Sequence, residues 1–258
     1  MKKTSGAWVA TAIVLLIIGF IICVVGGIFA IAMSNEKTID FVKEYTDEKI
    51  TALDMELQAT ELIIEEGDTF SINAENVEEN FETTIEDGVW TIRSEGKKNA
   101  FFKEINIVGY KRKTGKIVIT IPKGHTLETA TFEFGAGSFK IDDLTCTKRL
   151  DLSLGVGEVD LNNIKANEMS LSNAVGVLRG DGILTKRLEV ENGIGYSNIR
   201  LEKESDFFGY EIEGGIGHIK IGEEIDSSGI ALEKSIHLDR EGLIKVECGI
   251  GEVVVRFK

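Results

Sequence analysis

The chain has 258 residues, 43% of them hydrophobic, so it is long enough for one domain with a sizeable core plus an additional segment. Its formal net charge of -14 at pH 7 would repel a phosphate backbone, which argues against nucleic-acid binding. Twenty-eight glycines stand against a single proline, so glycine is the residue that separates the predicted elements.

The first predicted element is a transmembrane helix at residues 7–33. This stretch carries no charge and exceeds the ~20 residues needed to cross a hydrocarbon core. A cleaved signal peptide is the alternative, because residues 30–32 (AIA) resemble a cleavage site, but secretory apolar regions run only ~7 to 15 residues. A lipoprotein anchor at Cys23 is disfavoured, because Ile22 stands where that signal requires a small residue.

The predicted orientation places residues 1–6 in the cytoplasm and residues 34–258 outside the cell. Lys2 and Lys3 precede the apolar stretch as in a signal anchor. Three lysines follow it, so the number of cations on each side does not by itself decide which side is cytoplasmic. Long domains are translocated largely regardless of their charge. We therefore expect a single-pass protein of the cell membrane whose first partner is the lipid bilayer, through residues 7–33.

The region after the membrane helix divides into a spacer and a set of strands. Residues 34–49 are charged and lack a sustained apolar period, which predicts a spacer, in part helical, that holds the domain off the bilayer. Residues 50–125 contain short runs of alternating polarity, rich in β-branched and aromatic residues, which predict irregular strands. The pair Asp87 and Gly88 between two such runs predicts a hairpin turn.

Residues 126–258 contain a repeat built on glycine corners. The corners begin at Gly135, Gly155, Ala174, Gly193, Gly215 and Gly249, which lie 20, 19, 19, 22 and 34 residues apart. Apolar residues alternate with polar ones on both sides of each corner. A near-constant period of about 20 residues predicts an all-β fold, a β-solenoid or parallel β-helix-like stack in which two strands per rung meet at the corner. The long last step leaves two alternatives for residues 222–243, a loop or an irregular extra rung.

The same repeat excludes a phosphate-binding loop. A dinucleotide fingerprint needs a third glycine and a helix whose N-terminus meets the pyrophosphate, whereas each Gly-x-Gly here continues into another strand. Nucleotide binding is therefore not expected, and no other cofactor is predicted.

Few residues suggest catalysis or metal binding. The three histidines have no metal-ligand spacing with cysteine or with one another, and no serine lies in a Gly-x-Ser-x-Gly elbow. Stacking of rungs would bring Asp142, Asn162 and Asp181 into one column, near Asp143 and Asp160, a set that could hold a calcium ion or serve a carbohydrate-active enzyme. The neighbouring column of Lys140, Asp160 and Arg179 alternates in charge and favours an ordinary solvated face. We predict no catalytic residue and no metal site.

Two cysteines fall in the repeat domain. Stacking of rungs would separate Cys146 from Cys248 by about four to five rungs, on the order of 20 Å, which is too far for a disulfide. We predict two free thiols, with Cys248 in the inward column of Phe134 and Leu154.

An acidic face is the one candidate binding site. Consecutive stacking would place Glu189 and Glu191 on Glu211 and Glu213, with Asp151 and Glu247 on flanking rungs. Stacked like charges are destabilising, so either screening and flexible side chains suffice, or the stripe binds divalent cations or a cationic envelope component such as an aminoacylated wall polymer or a basic peptide.

The sequence VITIPKG at residues 118–124, the GVGEVDL-type repeats and the apolar N-terminus carry a family resemblance. Together they make the chain similar to the bacterial putative-adhesin family of β-strand-repeat domains of unknown function. The resemblance implies an envelope-exposed β-solenoid, linked with surface adhesion or envelope stress, and no catalytic residues. The leading prediction is a non-catalytic interaction module that meets a cell-wall polymer or an envelope protein. An accessory or regulatory protein of envelope stress signalling is the alternative, and a carbohydrate-active β-helix enzyme the outsider.

Overall fold

The structure, a computed structural model, describes residues 38–46, 49–94 and 115–258. The predicted membrane helix at residues 7–33 lies outside these ranges. Within them, no helix has the length and apolar character that crossing a bilayer requires. The described residues form strands and one short 3-10 turn, Ser205–Phe207.

Thirteen strands make one sheet. In chain order they are β1 (Thr38–Tyr45), β2 (Ala52–Gly67), β3 (Phe70–Glu78), β4 (Phe81–Glu86), β5 (Val89–Ser94), β6 (Gly115–Pro122), β7 (Leu127–Asp142), β8 (Cys146–Asn162), β9 (Glu168–Ile183), β10 (Arg187–Leu201), β11 (Phe208–Ile221), β12 (Ile225–Ile236) and β13 (Gly242–Arg256). The hydrogen-bonded order is β1-β3-β6-β2-β7-β8-β9-β10-β13-β11-β12, with β5 on β2 and β4 on β5.

Strand β1 changes the interpretation of the segment before the repeat domain. It pairs antiparallel with β3, and Tyr45 at its end is buried. The expectation of a spacer at residues 34–49 is therefore wrong for Thr38–Tyr45, which belong to the sheet. The alternation of Phe41, Lys43 and Tyr45 along one side is the strand pattern that the charged composition obscured.

The repeat is confirmed as parallel stacking, with one strand per rung where two were predicted. Strands β7 to β10 each run unbroken through their glycine corner and pair in parallel with the next. Only residues 143–145 separate the end of β7 from the start of β8, so each strand must bend back at its corner to bring its ends together. The bend turns the alternate apolar residues of both arms toward one core.

The order of the last strands differs from the order along the chain. Strand β13 lies between β10 and β11 and pairs in parallel with both. Strand β12 pairs antiparallel with β11 and ends the sheet. Of the two alternatives for residues 222–243, the structure shows the irregular extra rung, because Ile225–Ile236 form a bent strand that pairs antiparallel with β11 at the edge of the sheet. This arrangement also explains the last corner spacing of 34 residues.

The first rung is built from two short strands. Strand β5 pairs with the first arm of β2 and β6 with its second arm, both in parallel. The hairpin predicted at Asp87 and Gly88 joins β4 to β5, and both residues have positive φ. Strands β3 and β1 continue the sheet from β6.

One hydrophobic core lies inside the bent strands. A typical inward column runs through neighbouring strands as Phe132, Leu152, Leu171, Val190, Val246 and Ile212, all of them buried. On β12 this column ends at Lys234, which faces Ile212. At the opposite edge, Lys43 of β1 faces Ile72 and ends another core column.

Candidate functional site: an acidic face beside the corner

The acidic face is present, but its order differs from the expected one. Because β13 is inserted, Glu247 lies directly between Glu191 and Glu213, and Glu233 of β12 follows Glu213. Four glutamates thus stand side by side on β10, β13, β11 and β12, which we call the glutamate ladder. The expectation that Glu191 lies directly on Glu213 is wrong, because chain order does not give strand order.

The neighbouring column contains a cation that the sequence analysis missed. Lys245 lies between Glu189 and Glu211. Its Nζ is 2.9 Å from Oε1 of Glu189 and 2.6 Å from Oε1 of Glu247. Hydrogen bonds to Glu247 and Glu189 raise the pKa of the Lys245 ammonium above its usual value. This lysine therefore neutralises the β10 end of the face.

The remaining glutamates of the face have no such partner among the described residues. Glu191, Glu211, Glu213 and Glu233 form no ion pair within the part of the chain that the structure covers. Carboxylate oxygens of Glu189, Glu191 and Glu247 lie within 4.8 Å of one another, a spacing at which they could surround a cation. Lys245 already contacts two of these three, so a metal ion would have to displace its ammonium group.

A groove of about 760 Å³ runs beside the glutamate ladder. Its lining includes the glycine corners at Gly193, Gly249 and Gly215, which present no side chain. Glutamates of the ladder, Ile216 and Ile230 also line it. These two isoleucines are 45% and 77% exposed, so the groove combines acidic and apolar surface.

Asp151, the sixth predicted residue of the face, is separated from the ladder. It lies two strands from Glu189 in the same column, with Ser170 between them. Its carboxylate accepts hydrogen bonds from Nε of Arg149 at 2.7 Å. The charge of Asp151 is therefore balanced on its own strand.

The carboxylate column at the other end of the strands is built from cross-strand pairs. Asn162 donates a 2.7 Å hydrogen bond to Asp142, which also binds Lys140 at 2.6 Å. Arg179 lies beside Asp160, and Arg200 pairs with Asp181. Asn163 donates to Asp143 at 3.0 Å. Each of these carboxylates therefore has a donor, as the alternating charges predicted.

Both cysteines of the domain are free, as expected, and both are buried, although an inward position was predicted for Cys248 alone. Cys248 stands in the inward column after Phe134 and Leu154, with Asn173 and Asn192 between. Burial raises the pKa of the Cys146 thiol to about 12. The inserted β13 brings the two cysteine-bearing strands within three strand steps, ~14 Å, which is closer than predicted yet still too far for a disulfide.

A buried polar row lies under the corner and was not predicted. Asn173 donates to Asn192 at 3.2 Å, and Ser197 donates to the same Asn192 oxygen at 3.2 Å. The repeat contained a signal, because Asn173 and Asn192 continue the column of Leu154 on the next two rungs. The sequence analysis looked for apolar residues in the inward columns and therefore did not include these polar ones.

A histidine joins the last three strands of the sheet. His218 of β11 places Nδ1 3.0 Å from Glu252 of β13 and Nε2 2.9 Å from Asp226 of β12. Hydrogen bonds with Asp226 and then Glu252 raise the pKa of the His218 imidazole. This contact could not be predicted from the sequence, because it depends on the strand order.

These features define a β-solenoid domain with an acidic, partly apolar face, the class of protein that stacked parallel rungs and glycine corners indicated. The chain belongs to the Toastrack DUF4097 family, whose model matches residues 50–241. No curated protein matches the chain significantly.

Several solved structures are similar to this chain at low sequence identity. A "putative cell adhesion protein" from Clostridium sporogenes is 15% identical, with a TM-score of 0.45, and covers 86% of this chain and 100% of its own. A "putative adhesin" from Bacteroides fragilis is 15% identical, with a TM-score of 0.46, over 85% of this chain and 98% of its own. A "putative lipid binding protein" from Parabacteroides distasonis is 15% identical, with a TM-score of 0.33, over 83% of this chain and 96% of its own.

Proposed function

We propose that this Toastrack domain is a membrane-anchored, extracytoplasmic interaction module of the bacterial envelope, and that its acidic face binds a cationic envelope component. The glutamate ladder is the observation that carries the proposal. Its four carboxylates occupy four adjacent strands, and Lys245 is the one described cation paired within it.

The electrostatics of the ladder favour a cationic ligand. Carboxylates on adjacent strands ~5 Å apart repel one another by roughly 1 kcal/mol per pair in water, and by more near a protein surface. A ligand ammonium or guanidinium group between Glu213 and Glu233 would relieve this repulsion. The exposed Ile216 and Ile230 would receive the apolar part of such a ligand.

Thermal melts of the full chain in detergent test the acidic face. We expect millimolar calcium or magnesium, or a cationic wall polymer, to raise Tm more than sodium chloride of matched ionic strength. The double variant Glu191→Gln, Glu213→Gln should lose this difference. The control variant Glu56→Gln, Glu133→Gln alters the same outward column at the other end of the sheet and should retain it. Identical melts in the two salts would contradict cation binding and show that the glutamate ladder only keeps the domain soluble.

Protease digestion tests the anchor and its orientation. Protease added to intact, wall-stripped cells should remove the domain and leave a small stub that contains residues 7–33. The support for this topology is the uncharged stretch preceded by Lys2 and Lys3. A domain that stays intact until the cells are lysed would contradict it.

A further inference from the structure

A line of apolar residues crosses the strands at the corner, outside the core. The middle residue of each corner pairs with the middle residue of the next strand, and we call this column the corner ridge. From β8 to β12 across the sheet it consists of Val156, Val175, Ile194, Ile250, Ile216 and Ile230. None of the six belongs to the buried core, and the last two are 45% and 77% exposed. Six adjacent strands thus carry an apolar line ~24 Å long on the surface.

The two flanks of the corner ridge differ in charge. On one flank, three residues from the ridge, the glutamate ladder runs beside it on β10, β13, β11 and β12. Its members other than Glu247 form no ion pair within the described ranges. On the other flank the acidic side chains are paired, Glu158 with Arg179 and Glu252 with His218. A ligand of this face must therefore place its cations along one side of an apolar stripe.

The space between the corner ridge and the glutamate ladder has the dimensions of an α-helix. The glycines at Gly193, Gly249 and Gly215 lie between them and carry no side chain, which leaves the groove open. Three residues of strand span at most about 10 Å, and a helix with its side chains is about 10 Å across. A helix of about 16 residues would span the whole ridge.

The spacing along the corner ridge also favours a helix over an extended peptide. One face of a helix recurs every turn, about 5.4 Å, which is close to the ~4.8 Å step between strands. Over the four strands of the glutamate ladder, the mismatch adds up to only about 2 Å. One face of an extended peptide recurs every ~6.8 Å and loses register within two strands. A cationic wall polymer would leave the apolar ridge uncovered.

A second copy of this chain does not supply the cations that the groove requires. On the six strands of the corner ridge, the outward cations within five residues of it are Arg179, His218, Lys220 and Lys245. Each of them is already paired with a carboxylate of its own chain. Two ridges packed on one another would therefore bring together two acidic flanks without a free cation among the described residues. The charge of the face requires a different partner.

We infer that the ligand of the acidic face is a basic amphipathic α-helix of another protein, which lies in the groove across the strands. Its apolar stripe packs on the corner ridge, and its lysines or arginines face the glutamate ladder. Docking of an amphipathic helix in a groove is a common mode of peptide recognition. The inference rests on the proposed function, because it names the class of ligand for the same face.

A synthetic helix tests the inference on the full chain in nanodiscs of zwitterionic lipid, with empty nanodiscs as the blank. The probe is a fluorescent peptide of 16 residues, with leucines along one face and lysines along one side of them. We expect it to bind and to gain helical circular dichroism. A scrambled peptide of the same composition and charge should bind roughly tenfold more weakly, because its leucines do not form a stripe.

Variants of the chain locate the binding. Ile216→Thr, Ile230→Thr should weaken binding of the amphipathic peptide roughly tenfold, because it removes apolar surface and keeps residues that favour strands. Val42→Thr is the matched control, since Val42 is 72% exposed on β1 at the opposite edge of the sheet. It should bind as the parent chain does. A melt of each variant confirms its fold.

The outcomes separate this inference from the proposed function. The isoleucine variant should keep the Tm rise in calcium or magnesium, because its glutamate ladder is intact, whereas Glu191→Gln, Glu213→Gln should lose that rise and the peptide. Equal binding of the two peptides, or unchanged binding to the isoleucine variant, would overturn the helix even where the Tm rise upholds the acidic face. Self-association of the parent chain that the isoleucine variant lacks would also overturn it. A parent chain without the Tm rise would contradict the proposed function itself.

Discussion

The second glycine of five of the six corners is held in a backbone conformation that other residues rarely adopt. Gly195 has φ +142, and a Cβ added there would overlap the carbonyl oxygen of Gly176 on the next strand. Neighbouring backbones can stack at the corner because no side chain lies between them. The corner is therefore a packing feature, and it explains why the repeat shows so regularly in the sequence.

Alanine substitution tests this account. Gly195→Ala should reduce the free energy of unfolding by at least about 2 kcal/mol, because it adds both backbone strain and overlap with the adjacent strand. Gly124→Ala is the matched control, since Gly124 also has a positive φ of +70 but has nothing within 4 Å of an added Cβ. Gly124→Ala should lower the free energy of unfolding by only about 1 kcal/mol. Urea melts that show equal losses would contradict the packing explanation.

The inward register can be tested with three aspartates. Leu154 is 1% exposed and Val190 is fully buried, whereas Ser153 is exposed on the outer face. Leu154→Asp and Val190→Asp should unfold the domain, because a buried unpaired carboxylate costs several kcal/mol against a total stability of ~5 to 15 kcal/mol. Ser153→Asp should be tolerated. Circular dichroism melts that show equal loss in all three would contradict the register.

His218 should make the end of the sheet sensitive to pH. It can donate to Asp226 and Glu252 at once only when both ring nitrogens carry a proton. Its pKa is raised from the ordinary value of 6.5, so this contribution to stability is complete below pH 6.5. It is lost as pH rises through the folded-state pKa.

We expect Tm to fall across that pH range in the parent chain and to fall less in His218→Gln. The glutamine keeps a hydrogen-bonding side chain but does not titrate there, so the difference between the two curves isolates His218. Lys220 lies 3.5 Å from Asp226 in both proteins, so this ion pair is common to the two curves. Parallel curves for the two proteins would show that His218 does not hold β12 to β11.

At the scale of strands, the sequence predicted the glycine corners and the alternation of apolar and polar residues. It did not predict which strands are adjacent in the sheet. Leu154, Val190 and Cys248 point inward as the alternation required. The pairing of Glu191 with Glu247 could not be predicted, because every strand presents the same spacing and a similar corner to any neighbour. For β12 the sequence leaves a loop and an irregular rung as alternatives, because the bend of this strand, at Gly229 and Ala231, lacks the Gly-x-Gly pattern.

The lysines at the two edges protect the sheet from pairing with other copies. Lys43 and Lys234 lie on the two edge strands, each at the end of a column of core residues. An apolar residue at either position would make the edge prone to pair with a strand of another copy. Lys234→Val should therefore cause concentration-dependent association, measured by analytical ultracentrifugation. The control Lys220→Val removes an outward lysine from the adjacent strand and should not change the association state of the chain. Monomers of Lys234→Val at high concentration would show that another feature protects the edge.

At the scale of the whole molecule, the described carboxylates differ in how they are balanced. Carboxylates on β8 and β9 pair with arginines on the same or adjacent strands. In the glutamate ladder and the column beside it, Lys245 is the one described cation that pairs with a glutamate. Composition indicated the acidic character of the chain, with a formal net charge of -14. The position of the ladder in the sheet depended on the strand order, which composition does not contain.

The position of β13 makes closure of the sheet depend on the last of its described strands. Among the described strands β13 is synthesised last, and it joins β10 to the β11–β12 hairpin. A product that stops before Gly242 therefore leaves two long strand edges unpaired that β13 would otherwise cover. Chaperones and proteases act on such exposed surfaces. We expect quality control to remove these truncated products, so that the acidic face is found only on chains that contain β13.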